Sequence, residues 1–203
     1  MRRKPELEGD PQPQRYPAAG CIFLQRAAAY ARFVRRPRRS SELPTLFKWG
    51  LMGLFSRKKP PLPDSVPPGP WAVVQGSNQG KVLLARVHKG LGTIVGSAAY
   101  PFRVGVATRV RATAANGMPT PEENTTLQEV EDRLRVTLEA EREAILVVAL
   151  TTNGVKEWVL YTSDPESTKR RMGAFGPTVN THQLQTVIRE DRNWDVYRQL
   201  AGS

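Results

Sequence analysis

The sequence predicts an α+β fold, a mostly antiparallel sheet of about six strands with one long and two short helices, in the order β-β-β-α-β-β-α-β-α. Two observations lead to it. Short apolar stretches, several with an alternating pattern, are bounded by glycine and asparagine, as in hairpin-joined strands. One long charged stretch carries apolar residues at helical spacing. Strands joined in hairpins with helices between them favour helices on one side of the sheet.

The first strands occupy the start of the predicted domain. Residues 71–75 are a short strand, and a stronger one follows at 81–89, where Leu83, Ala85 and Val87 alternate with polar residues. A third strand covers 100–113. In that strand Phe102, Val104, Val106 and Val110 point to one face, and Arg103, Arg109 and Arg111 to the other.

The long helix begins at a strong start signal. Thr120 is the predicted N-cap, Pro121 takes the first helical position, and Glu123 completes a capping box. An apolar stripe docks the helix on the sheet, and it consists of Leu127, Val130, Leu134 and Leu138. The remaining faces are expected to be solvated and to carry the ion pairs Glu129–Arg133 and Glu131–Arg135.

The rest of the chain completes the sheet. Residues 144–150 are apolar at nearly every position, which predicts a central strand covered on both faces. Asn153-Gly154 is the preferred pair for a type I′ hairpin turn, and residues 155–162 pair back. Asp164 caps a short helix. A last strand at 183–189 precedes a terminal helix at 193–200, whose Trp194 and Tyr197 are expected to pack on the sheet.

Composition divides the chain of 203 residues into three parts. Of its 17 prolines, 12 precede residue 71. Residues 1–51 carry 11 Lys and Arg against four Asp and Glu and are expected to be a disordered basic extension. Residues 52–70 form a basic, proline-rich linker, and residues 71–203 form a single α+β domain. The net charge of +11 favours nucleic-acid or anionic-membrane partners, but most of the excess lies outside this domain.

The extension also carries a second possible start. Residues 52–59 are typical of a bacterial N-terminus, so we hypothesise that translation begins at Met52. Within residues 1–51, the stretch 21–34 has the pattern of a short basic amphipathic helix, although no partner face follows it. The single cysteine, Cys21, excludes an intrachain disulfide and suits the cytoplasm. The longest apolar runs have seven residues and a bilayer span needs about 20, so no membrane span is expected.

Four motifs at fixed spacing resemble an uncharacterised bacterial family, domain of unknown function 695, over about residues 71–200. The motifs lie at 116–123, 131–132, 151–161 and 190–197. The family pattern usually has proline where this chain has Asn193, which affects only the cap of the last helix. The resemblance implies no activity and no functional residue. Members of the family are sometimes found beside domains similar to regulator-B inhibitors of ribonuclease E, which supplies a hypothesis only.

No catalytic, cofactor-binding or metal-ligating residue is predicted. The two histidines, His88 and His182, lack zinc-ligand spacing, and His88 is expected at the surface of a strand. The glycines after residue 89 fall short of a nucleotide-binding fingerprint. The polar and aromatic cluster at 190–197 is interpreted as the start of a helix with aromatic residues in the core, and a recognition patch is the alternative.

Binding is therefore the expected class of function. The candidate partner-binding residues are basic and are expected to share the sheet face opposite the long helix: Arg86, Arg103, Arg109 and Arg111. A non-enzymatic regulatory module that contacts another protein through its sheet is the preferred hypothesis. The alternatives are a weak RNA- or ribonuclease-associated regulator and an enzyme whose pocket involves Glu157, Tyr161 or His182. Oligomeric state stays open.

Overall fold

The computed structural model describes residues 62, 63, 66, 68–78 and 80–202. The predictions for residues 1–51, the start at Met52 and the helix at 21–34 lie outside the described residues, as does most of the linker. No helix within the described ranges is both long and apolar enough to cross a bilayer.

The predicted element order is confirmed. Six strands and three α-helices follow one another as β1 (Trp71–Asn78), β2 (Lys81–His88), β3 (Phe102–Arg109), α1 (Pro121–Leu138), β4 (Ala144–Thr152), β5 (Val155–Thr162), α2 (Pro165–Phe175), β6 (Gln185–Glu190) and α3 (Asp195–Ala201). The strands form one sheet in the order β1-β2-β4-β5-β3-β6, and every neighbouring pair is antiparallel. The strand predicted at 100–113 is shorter than expected, because the chain leaves the sheet after Arg109.

One face of the sheet carries α1 and α2. The predicted stripe from Leu127 to Leu138 is buried there, against a floor that includes Val104, Trp158 and Leu160. Met172 and Phe175 of α2 join the same cluster. Burying each large apolar side chain stabilises the fold by roughly 1.5–3 kcal/mol, so this cluster fixes both helices on the sheet.

The opposite face carries α3, so the expectation of helices on one side is wrong. Side chains alternate along β5, which sends Trp158 to the α1 face and Tyr161 to the other face. Trp194 stacks on Tyr161 with the ring centroids 4.0 Å apart, and its indole N–H donates to the carbonyl of Tyr100 at 3.0 Å. The aromatic side chains of the terminal helix therefore pack on the sheet, as predicted for Trp194 and Tyr197.

Local signals form the turns and caps as the sequence predicts, with one exception. Asn153 and Gly154 both have positive φ, as a type I′ turn requires. The hydroxyl of Thr120 accepts the backbone N–H of Glu123, which caps α1. Glu123 does not complete the capping box, because its carboxylate accepts the backbone N–H of Arg111 at 2.6 Å.

Candidate functional site

A groove runs along edge strand β6, between that strand and α2. Two open hollows, of about 530 and 640 Å³, adjoin in it and share the lining residues Met172, Gly173 and Leu184. We call this feature the β6 groove. Leu184 and Ile188 pack against the core and give it an apolar floor, while its ends carry charged and amide side chains.

Gly173 makes room in the wall of the β6 groove. It lies inside α2, where glycine costs about 1 kcal/mol relative to alanine. A Cβ atom built there meets no atom within 4 Å, so close packing does not require the glycine. The sequence showed a glycine inside a predicted helix, but only the structure shows that its missing side chain borders a groove.

One end of the β6 groove holds a buried carboxylate and imidazole. Nε2 of His182 lies 3.0 Å from Oε1 of Glu123, and both side chains are almost fully buried. Burial raises the pKa of Glu123. The hydrogen bonds from the backbone N–H of Arg111 and from the His182 side chain lower the pKa by more than burial raises it, so the net shift is downward. Sequence reasoning missed this pair, because its members are 59 positions apart.

The same pair limits what chemistry this end can perform. Nδ1 of His182 has no hydrogen-bond partner among the described residues, and His182 borders the smaller hollow. The Glu123 carboxylate can orient the ring and leave Nδ1 as an acceptor, as in a general base. Within the described ranges, the hydrogen-bond partner of the His182 ring is Glu123, and no hydroxyl or thiol is hydrogen-bonded to it.

The four candidate arginines do not share a face, and that prediction is wrong. Arg86 points to α1, where its guanidinium lies 2.5 Å from Glu131. Arg103 is on the α3 face and only 8% exposed, opposite Tyr161 in the register. Arg109 is exposed at the end of β3, and Arg111 lines the β6 groove. Their role in partner binding stays a prediction, but no common basic surface supports it.

An ion pair between the partly exposed Arg86 and the buried Glu131 links α1 to the sheet. Glu131 is only 2% exposed, and its second oxygen accepts the indole N–H of Trp158 at 2.8 Å. The predicted i,i+4 pairs are therefore wrong for Glu131, and Arg135 pairs with Glu139 instead. Burial lowers the pKa of nearby Lys156, and the charge of Glu131 partly opposes that shift.

On the α3 face, one carboxyl is buried without full pairing. Glu157 is 2% exposed, and its Oε2 has no hydrogen-bond partner among the described residues. Burial raises its pKa to about 7, against the opposing charge of Arg103. Gly105 leaves room for the Glu157 side chain, since a Cβ atom at position 105 would lie only 3.2 Å from Oε1 of Glu157. Glu157 and Tyr161 border neither hollow of the β6 groove.

The expected surface position of His88 is also wrong. His88 is buried at the end of β2 and packs edge-on against Trp71. Its Nδ1 accepts the backbone N–H of Gly90 at 3.2 Å. Burial lowers its pKa, which favours the neutral ring that such an acceptor requires. This histidine is a structural residue at the start of the loop after β2.

Comparison with known proteins identifies the domain. A family model described as a family of unknown function, DUF695, matches residues 70–201. No curated protein and no solved structure matches the chain. The match covers all six strands and the three α-helices of the described residues.

Proposed function

The chain belongs to the DUF695 family, whose function is unknown, and we propose that its domain is a non-enzymatic protein-binding module. In this proposal, an extended segment of a partner protein adds to the sheet along β6. Side chains of that segment enter the β6 groove. This keeps the expectation of contact through the sheet but moves it from a basic face to an edge.

The observation that carries the proposal is an open strand edge beside an apolar groove. In the part of the chain that the structure describes, β6 pairs with β3 alone. Gln185, Thr186 and Arg189 are exposed. A strand edge offers backbone N–H and C=O groups that a second extended chain can pair with, and a neighbouring pocket supplies specificity through alternate side chains. The β6 groove combines these two features.

The groove also defines the chemistry of the segment. Successive side chains of an added strand point to opposite faces, so only every second one enters the groove. Those residues should be apolar, to match Leu184, Ile188 and Met172. Since Lys169 and Arg189 line the larger hollow together with Glu166 and Glu190, no strong preference for one sign of charge is expected there.

The test selects peptides and then blocks the groove. A displayed library of random peptides about ten residues long is selected on the full chain. Binders should show apolar residues at alternate positions. Gly173→Leu should weaken their binding by at least about tenfold, equivalent to 1.4 kcal/mol, by filling the groove. Fluorescence polarisation with labelled peptides measures the affinity.

A matched control lies next to it on the same helix. Ala174 is exposed and lines neither hollow of the groove, so Ala174→Leu should leave peptide affinity unchanged. Circular dichroism checks that both variants keep the fold. Equal affinity of the peptides for Gly173→Leu and the parent chain would refute the proposal, as would a selection that yields no binder.

The RNA-associated alternative has less support. Arg86 is paired with Glu131 and only partly exposed, and Arg103 is buried. Arg109 and Arg111 are the exposed members of the four. Nucleic-acid affinity depends on the number of phosphates neutralised. Strong binding of a single-stranded RNA to residues 62–203, kept above about 200 mM salt, would reverse this preference. A cytoplasmic location is also proposed, because a single cysteine suits a reducing compartment.

A further inference from the structure

The smaller hollow of the β6 groove has a hydrogen-bond acceptor in its wall that the described part of the chain leaves unused. The His182 side chain is 1% exposed and lines this hollow. Its Nδ1 atom is buried without a hydrogen-bond partner among the described residues. Because a buried polar atom without a partner lowers stability, a group bound in the hollow can gain affinity by supplying the missing hydrogen bond.

The hydrogen bonds behind the ring decide which of its nitrogens carries the proton. The backbone N–H of Arg111 and Nε2 of His182 both lie within hydrogen-bond distance of Oε1 of Glu123, at 2.6 and 3.0 Å. Since the pKa of Glu123 is lowered, its carboxylate is ionised at neutral pH and can only accept. Nε2 therefore donates its hydrogen to Glu123, which leaves the lone pair of the neutral ring on Nδ1.

The other polar residues of the smaller hollow restrict which group can bind there. They include Arg111, Asn180 and Gln183, and all three are exposed. The guanidinium of Arg111 disfavours a bound cation, because like charges repel. A carboxylate would turn its own lone pairs toward the lone pair of Nδ1. An uncharged amide or hydroxyl group meets neither obstacle, and its oxygen can accept a hydrogen bond from Arg111 or from an amide side chain.

The position of the smaller hollow relates this acceptor to the proposed strand addition. His182 lies shortly before the start of β6 at Gln185, whereas the larger hollow is lined by residues as far along the strand as Glu190. A segment that pairs along β6 therefore brings a residue near one of its ends to the smaller hollow. Its remaining groove-facing residues lie over the apolar floor.

We propose that the smaller hollow is a specificity subsite, in which an amide or hydroxyl side chain of the partner segment donates a hydrogen bond to Nδ1 of His182. This inference rests on the proposed function, which supplies the segment. The apolar floor contributes affinity and His182 contributes selection, because an apolar side chain at this position would cover Nδ1 without bonding to it. Glu123 is a positioning residue, since it acts through the ring of His182.

The first measurement needs no peptide and uses propionamide, a primary amide too small to pair along a strand. Long-range 1H–15N NMR spectra of the full chain with 15N-labelled histidine report on the ring nitrogens. Propionamide is added up to about 100 mM, because a ligand with so few atoms binds weakly. It should move the Nδ1 resonance of His182 saturably. The Nδ1 resonance of His88 is the internal control and should not move, since that atom already accepts from Gly90.

The second measurement uses the peptides selected on the full chain. Binders should carry Asn, Gln, Ser or Thr at one fixed position near an end. Replacing that residue by an apolar one of similar size should weaken binding at least about tenfold, equivalent to 1.4 kcal/mol. In His182→Phe, which keeps an aromatic ring without the acceptor, the same replacement should change the affinity less than about twofold. Gln185→Ala is the matched control, because Gln185 is exposed and lines neither hollow, and it should keep the tenfold preference.

The two measurements separate the subsite from the strand addition. An Nδ1 resonance of His182 that propionamide does not move would overturn the subsite and leave strand addition intact, as would a peptide preference that survives in His182→Phe. A saturable shift without any peptide binder would support the subsite and refute strand addition. Circular dichroism checks the fold of His182→Phe, and if that variant does not fold, the propionamide titration of the parent chain decides the question.

Discussion

The two faces of the sheet bury charged groups in different ways. On the α1 face, Glu131 has a guanidinium on one oxygen and an indole N–H on the other. Glu123 receives a backbone N–H and an imidazole, and its pKa falls. On the α3 face, Glu157 keeps one oxygen without a partner among the described residues, and its pKa rises to about 7. At similar depth, the donors around a carboxyl decide whether its charge is tolerated.

The largest effect is expected from removing Trp194, the aromatic residue that anchors α3 on its face of the sheet. Trp194→Ala should lower the free energy of unfolding by about 3–5 kcal/mol, because it loses the stack on Tyr161 and leaves a cavity. Urea unfolding followed by circular dichroism measures this change. Val136→Ala, at an exposed site on α1, should stay within about 0.5 kcal/mol of the parent. A near-neutral Trp194→Ala would favour the recognition-patch interpretation of residues 190–197.

The next largest effect is expected at Glu157, whose buried carboxyl should make stability depend on pH. The folded pKa of Glu157 is about 7, above the ordinary value of 4.5, so the folded state binds more protons between these values. Stability from this group is therefore complete below about pH 4.5 and falls as pH rises to about 7, by about 3 kcal/mol. Glu157→Gln should lack this fall and be the more stable form at pH 8. Parallel pH profiles of the two proteins, measured by urea unfolding, would contradict this.

For Glu131, the paired carboxylate of the α1 face, removal of its partner should lower the free energy of unfolding. Arg86→Met leaves the buried Glu131 without its ion-pair partner and with the Trp158 indole as a remaining hydrogen-bond donor, which should cost about 2–3 kcal/mol. The double variant Arg86→Met with Glu131→Gln should be destabilised by less than the sum of the single variants. A double-mutant cycle in urea measures this coupling. Simple additivity would show that the two side chains do not interact.

The smallest expected effect concerns Glu123. Its lowered pKa contributes stability that is present above about pH 4.5 and lost as pH falls further. Glu123→Gln keeps an acceptor for the Arg111 backbone N–H but loses the charge, which should cost about 1 kcal/mol at pH 7. The difference from the parent should shrink at pH 3, as seen in thermal midpoints. An undiminished difference at pH 3 would assign the loss to packing.

Local signals in the sequence were sufficient for the elements but not for the faces. The capping threonine, the Asn-Gly turn and the apolar run of β4 each act within a few residues, so their outcomes could be predicted. Alternation in β3 correctly separated Val104 from Arg103. It could not show that α3 would cover the face that holds Arg103, because that contact joins distant parts of the chain.

The candidate site was harder to predict for the same physical reason. Glu131 has the spacing of a local pair with Arg135, yet it bonds to Arg86, 45 positions away. The buried Glu131 accepts hydrogen bonds from Arg86 and from the Trp158 indole. These two bonds stabilise the fold more than an exposed i,i+4 pair, which contributes only a few tenths of a kcal/mol. The β6 groove depends on how α2 lies over an edge strand, and no periodicity in the sequence encodes that arrangement.

The meeting of Gly69 with Gly90, which leaves no room for a Cβ atom at either residue, has a consequence for how this domain joins other proteins. Lys89, next to that meeting point, donates its backbone N–H to the carbonyl of Pro70 and its Nζ to the carbonyl of Ala201. The residue before β1 and the last residue of α3 thus both bond to a single lysine. Adjacent ends allow a domain to be inserted into a loop of another protein without distorting that protein, and they allow circular permutation of the domain.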